Sequence, residues 1–180
     1  MLFQVIIMEN KLFDRKSLRI KGYDYSTPGA YFITFCTYNR KNTLSRIVGA
    51  IHESPELKLT LYGEIVDKII KNIPSHLNVT VERYIIMPNH VHLIAEIKTQ
   101  EAVPGRTQFP AKTRSVISKT VGYIKMNASK EIRRQYGDID VWQRGYYDHI
   151  IRNAEDYEMI ANYMLENPVR WELDKLYSEA

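Results

Sequence analysis

The sequence predicts an α+β fold: a split βαβ (ferredoxin-like) antiparallel sheet with helices packed on one face and a further C-terminal helix. Three observations carry this. β-branched and aromatic runs recur at 30–38, 77–87, 90–97 and 141–151. Apolar residues at three- and four-residue steps mark helices at 59–73, 115–136 and 154–167. The order is strand, helix, strand, strand, helix, strand, helix, and its first six elements are those of the split βαβ arrangement.

Each element follows from its residues. Ser26, Pro28 and Gly29 supply turn chemistry before the buried strand at 30–38, and a weaker extended stretch covers 44–52. Leu59, Leu61, Ile65, Ile69 and Ile73 form one side of an amphipathic helix ended by Pro74. Pro88-Asn89 makes the tight turn of a hairpin between 77–87 and 90–97. Pro104, Gly105 and Pro110 punctuate a loop at 98–113. Ile117, Val121, Ile124, Ala128 and Ile132 form the stripe of the long helix, whose other faces carry Lys119, Lys125, Lys130, Arg133 and Arg134. Tyr157, Ile160, Ala161 and Met164 line the buried side of the last helix, which Pro168 terminates. The sheet's uncovered face is a natural platform for nucleic acid, by analogy with other small sheet-based binders.

Composition sets the bounds. With 180 residues, 44% of them hydrophobic, the chain can bury a core and is not wholly disordered. We expect a single domain over 15–180, preceded by a tail at 1–14 in which Met8 is an alternative start. The net charge of +4 suits a nucleic-acid partner without demanding one. The lone Cys36 rules out an internal disulfide and a multi-cysteine zinc site, reads as a buried thiol, and fits the reducing cytoplasm. No apolar run reaches the ~20 residues that span a bilayer, and the apolar start lacks the marks of a signal peptide.

Chemistry concentrates in few places. Of five histidines, only His90 and His92 are closely paired, two apart in a strand and therefore on one face. Two adjacent imidazoles are half of a metal site; spacing alone equally permits strand histidines satisfied by local hydrogen bonds. Among 13 tyrosines, Tyr163 lies off the apolar stripe of the last helix and shares a face with Asn167, four residues on. A partly exposed tyrosine and a capping asparagine would have the same spacing. Arg144 and Arg152, with Trp142, alternate cations and aromatics as a strip for unpaired bases and phosphates would, though solvated surface arginines do the same.

Taken together, these motifs resemble those of the single-tyrosine HUH transposases, and most of all the REP-associated tyrosine transposase branch. The string Met87-Pro88-Asn89-His90-Val91-His92 resembles its His-hydrophobic-His motif. Val141-Trp142-Gln143-Arg144-Gly145-Tyr146-Tyr147-Asp148-His149-Ile150-Ile151-Arg152-Asn153, followed by Tyr163-Met164-Leu165-Glu166-Asn167-Pro168, resembles its tail. Near the start, Arg19-Ile20-Lys21-Gly22-Tyr23-Asp24-Tyr25 and Gly29-Ala30-Tyr31-Phe32-Ile33-Thr34 agree as well. The resemblance runs from about Arg15 to Tyr177.

The resemblance implies a DNA transposase that cleaves and rejoins single-stranded or hairpin DNA. It implies Tyr163 as nucleophile, and His90, His92 and Asn167 as ligands of a divalent metal, Mg²⁺ or Mn²⁺. Other branches carry glutamine where Asn167 stands. His149 and Arg152 match recurrent residues of the branch without an assigned chemical step. Arg19, Lys21, Lys119, Lys125, Arg144 and Arg152 are the candidate DNA contacts. Both homodimer and monomer occur among relatives. Competing readings are a plasmid-type nicking enzyme, a non-catalytic hairpin-DNA-binding protein descended from a transposase, and a small zinc hydrolase needing no tyrosine.

Overall fold

The computed structural model describes residues 25–49, 55–98 and 115–179. Four strands form the main sheet: β1 (Gly29–Cys36), β4 (Val79–Ile86), β5 (His90–Ile97) and β6 (Tyr147–Ile151), in the order β4-β5-β1-β6 with every pair antiparallel. Helices α1 (Leu61–Lys71) and α2 (Val116–Tyr136) cover one face, and α3 (Ala154–Glu166) lies on the other. This is the expected split βαβ sheet with its extra C-terminal helix.

The strand period divides the core in two. Tyr31, Ile33 and Phe35 of β1 and Val91, Leu93 and Ala95 of β5 pack with Val66 and Ile70 of α1 and with Ile117, Val121, Ile124 and Ala128 of α2. The alternate residues Phe32 and Ile94 pack with Ile160, Ala161 and Met164 of α3. The face read as an open platform is thus partly occupied by α3, because Phe32 and Ile94 give it an apolar seat.

A separate hairpin pairs β2 (Ser45–Val48) with β3 (Glu56–Leu59). Of the extended stretch expected at 44–52, β2 is the strand among the described residues and 50–52 lie outside them; the helix expected from 59 starts two residues later. Thr60 caps α1, its hydroxyl accepting from Gly63 N. A Cβ on Gly63 would collide with the carbonyl of Leu44, so only glycine lets the helix sit this close.

The strand expected at 141–151 shrinks to β6. Gly145, at φ 82°, breaks the extended run, and upstream only Trp142 bridges to Thr37. The intervening loop is held by Lys125, whose ammonium donates to the carbonyls of Gln143 (2.9 Å) and Gly145. Cys36, read as buried, is half-buried; burial still pushes its thiol up to about 11. Among the described residues, no helix is long and apolar enough to cross a membrane.

Candidate metal and tyrosine site

The Pro88-Asn89 turn aims the histidine pair. It closes through Met87 N donating to His90 O (2.9 Å), and Thr37 N and Oγ1 both donate to Asn89 O (2.8 and 3.0 Å). Both imidazoles fall on the α3 face of β5 and are buried, with ring centroids 4.4 Å apart. Each has a partner at Nδ1. His90 Nδ1 donates to Asn89 Oδ1 at 2.8 Å, and His92 Nδ1 lies 2.7 Å from Thr34 Oγ1. At His90, donation from Nδ1 to an amide oxygen fixes the tautomer that leaves Nε2 with its lone pair, which is how ligating histidines are oriented.

Electrostatics favour the same state. Burial, helped by the Arg40 charge, lowers His90 to about 3. Burial and then His90 hold His92 well below the usual histidine range, with Asp174 pulling the other way. Both rings are therefore neutral at neutral pH, as metal ligands must be.

Helix α3 brings Tyr163 over this pair. Asn153 caps its start, Oδ1 accepting from Asp156 N at 2.8 Å. His149 Nε2 donates to Asp156 Oδ2 at 3.1 Å, joining β6 to the first turn of the helix. One face of α3 then packs on Phe32, and the Tyr163 ring stands edge-on to it at 6.3 Å. Its hydroxyl lies 3.4 Å from His92 Nε2 and 3.4 Å from Asp174 Oδ2. Asn167 keeps helical angles (φ −55°, ψ −42°) although proline follows, so it continues the Tyr163 face inward and is buried, not frayed. Its Nδ2 donates to Asp174 Oδ2 at 2.8 Å, which leaves Oδ1 buried without a partner. His90 Nε2 is likewise buried and unpartnered.

A buried polar atom without a partner is expensive, typically ~1–3 kcal/mol, and two of them, on residues whose neighbours His92 and Asp174 belong to one cluster, suit a bound ligand. The donor set (two imidazole nitrogens, an amide oxygen and a nearby carboxylate) fits a divalent ion such as Mn²⁺ or Mg²⁺. Among the described residues, His90, His92 and Asp174 have ligand atoms within 4.8 Å of one another.

The structure thus gathers His90, His92, Tyr163 and Asn167. It places the candidate DNA contacts elsewhere. Lys119 is exposed and Lys125 half-buried on α2, across the sheet; Arg144 is exposed in the loop that Lys125 holds. Arg152 is exposed beside the start of α3, where its backbone N–H donates to Asp156. Arg19 and Lys21 lie outside the described residues. Sequence reasoning missed Thr34, Asn89 and Asp174. Asn89 and Thr34 both stand in the family-like strings, but only Asn89 has its partner next to it in sequence; Thr34 and Asp174 reach the site from distant segments.

Residues 29–167 match the family of IS200-like transposases. The chain belongs to that family. Its REP-associated tyrosine branch is where the relatives fall. A REP-associated tyrosine transposase of Escherichia coli strain K12 is 21% identical over 136 residues, 76% of this chain and 66% of that protein. A solved structure of a REP-associated tyrosine transposase bound to a REP hairpin has the same fold, with a TM-score of 0.59 and 21% identity, covering 87% of this chain and 76% of that one. An uncharacterised protein of Haemophilus influenzae (strain KW20 Rd) is more similar in sequence, 36% identical over 174 residues, 91% of this chain and 93% of its own length. The histidine pair, Tyr163 and Asn167 all lie within the stretch that matches the IS200-like family.

Proposed function

We propose that this IS200-like transposase cuts and rejoins single-stranded DNA at hairpin (REP-like) sequences, using Tyr163 as nucleophile and a divalent ion held by His90, His92 and Asn167. The observation that carries the reading is the juxtaposition of the Tyr163 hydroxyl, 3.4 Å from His92 Nε2, with the buried and unpartnered His90 Nε2 and Asn167 Oδ1. The hairpin substrate is supported by the solved relative bound to a REP hairpin.

A bound divalent ion would orient the scissile phosphate and offset the charge that builds on it. The protein's part is positional. Thr34 and Asn89 hold the two imidazoles, and α3 sets the phenol beside them. A phenol titrates at ~10, so its anion is scarce at neutral pH unless a nearby cation favours it. Tyr163 Oη loses its proton to water and attacks phosphorus; the bond from phosphorus to the 3′ oxygen breaks, and that oxygen takes up a proton. The products are a 5′-phosphotyrosine and a 3′-hydroxyl. Attack by a 3′-hydroxyl on the phosphotyrosine reverses the step, so rejoining needs no nucleotide.

The test is incubation with labelled single-stranded DNA containing a palindromic hairpin, with Mn²⁺, followed by a denaturing gel. A covalent protein–DNA band that disappears in Tyr163→Phe is expected. Cleavage persisting in Tyr163→Phe would sink the tyrosine mechanism. Hairpin binding with no adduct under any metal would leave a binding protein descended from a transposase.

A further inference from the structure

We propose that Asp174 is a ligand of the same metal ion, so that the segment following α3 is part of the catalytic centre. The inference rests on the metal role proposed for His90 and His92.

Asp174 follows the single turn Trp171–Leu173, where Trp171 is buried with its ring 5.8 Å from that of His90. The segment is pinned to the histidine turn itself. Asn89, whose Oδ1 orients His90, donates from Nδ2 to Leu176 O (2.7 Å) and to Ser178 Oγ (3.1 Å). Ser178 Oγ donates onward to Arg40 O at 2.6 Å, and Leu176 is buried. One residue therefore ties the histidine pair and the C-terminal segment together.

Asp174 Oδ1 accepts from Leu176 N at 2.6 Å, which fixes the carboxylate and leaves Oδ2 toward Asn167 and Tyr163. Donor atoms bound to one ion at roughly 2.0–2.2 Å stand no more than about 4.4 Å apart. The ligand atoms of His90, His92 and Asp174, all within 4.8 Å of one another, need only a slight contraction.

Imidazole binds a metal as a neutral ring, so two of them and an amide offer a divalent ion no compensating charge, in a pocket where both rings are buried. Hard divalent ions are held chiefly by carboxylates. Asp174 supplies the missing negative charge.

The experiment measures Mn²⁺ affinity of the full chain without DNA, by electron paramagnetic resonance of unbound Mn²⁺, for wild type and His90→Ala, Asp174→Asn and Asp174→Glu, each checked for folding by thermal melting. His90→Ala should abolish binding. Asp174→Asn, which keeps the size and loses the charge, should weaken it at least tenfold, and Asp174→Glu should recover part of that loss. Binding unchanged in His90→Ala would overturn the metal site as a whole. Binding lost in His90→Ala but unchanged in both Asp174 variants would overturn only the role of Asp174, as would faster cleavage by Asp174→Asn at unchanged Mn²⁺ affinity.

Discussion

From His90 to Ala95 the two faces of β5 are both buried, yet chemically unlike. Val91, Leu93, Ala95 and Ile97 face α1 and α2 and are apolar throughout. His90, His92 and Ile94 face α3, and both histidines are as inaccessible as Leu93. A buried polar ring contributes less to stability than an apolar one of its size, because its desolvation must be offset by hydrogen bonds. The difference teaches that one face of the strand serves the fold, while the other carries buried polar rings at some loss of stability, as the proposed site would require.

The sharpest break between the faces is expected from Leu93→Ala against the double substitution Thr34→Val with His92→Leu. Leu93→Ala opens a cavity and should destabilise the protein by about 2–5 kcal/mol in urea titration. The double variant replaces a hydrogen-bonded pair (2.7 Å) by apolar groups of similar shape and should be near neutral, or more stable, while losing Mn²⁺ binding. Equal destabilisation by the two would show that the faces do the same work.

Acid separates them next. In the folded chain His90 is lowered to about 3, against ~6.5 when unfolded. Below about pH 6.5 the unfolded chain binds protons that the folded chain excludes, so stability contributed by the neutral rings is complete above that pH and falls as pH drops toward about 3. His92, also depressed, adds to the same slope. Urea midpoints measured from pH 7 to 4 should fall more steeply for wild type than for the Thr34→Val, His92→Leu variant.

Orientation of the rings is a smaller effect. Thr34→Val alone removes the partner of His92 Nδ1 but leaves Nε2 in place. Partners of this kind typically contribute 10–100-fold in metal affinity. A loss within that range is expected in Mn²⁺ titration, and an unchanged affinity would mean that packing on Phe32, not Thr34, fixes the ring.

The same contrast explains what could be read from the sequence. The fold was legible because β1, β5 and α2 carry strong periods, and His90 and His92 were legible as a pair because i and i+2 share a strand face. The short hairpin β2–β3 was not, since Leu59 and Leu61 extend the helical pattern across the end of β3. The start of β6 was not, since Trp142 to Tyr146 look extended until Gly145 turns the chain. Tyr163 needed the family motif to stand out among 13 tyrosines. Asp174 carries no period and reaches the histidines through tertiary contacts of the folded tail, with Asn89, Asn167 and Tyr163 among them, so no local pattern could have announced it.

The smallest expected effect tests how independently α3 is held. On the α1 and α2 face the helices share a large apolar cluster with the sheet; α3 rests on Phe32 and Ile94, through Ile160, Ala161 and Met164. Its first turn depends on polar contacts instead: the Asn153 cap, and Asp156 joined to His149. Asn153→Ala should reduce stability by only about 1 kcal/mol. Its consequence should be local, because a helix on a small apolar seat can open without the rest of the domain. Amide exchange should therefore speed up in the first turns of α3 and stay unchanged in α2. Since α3 carries Tyr163 and ends at Asn167, while His90 and His92 sit on the sheet, the proposed cleavage should slow by more than Mn²⁺ affinity falls. Equal acceleration of exchange in α2 would mean that the two faces open together, and that the tyrosine helix is as firmly built in as the core it lies across.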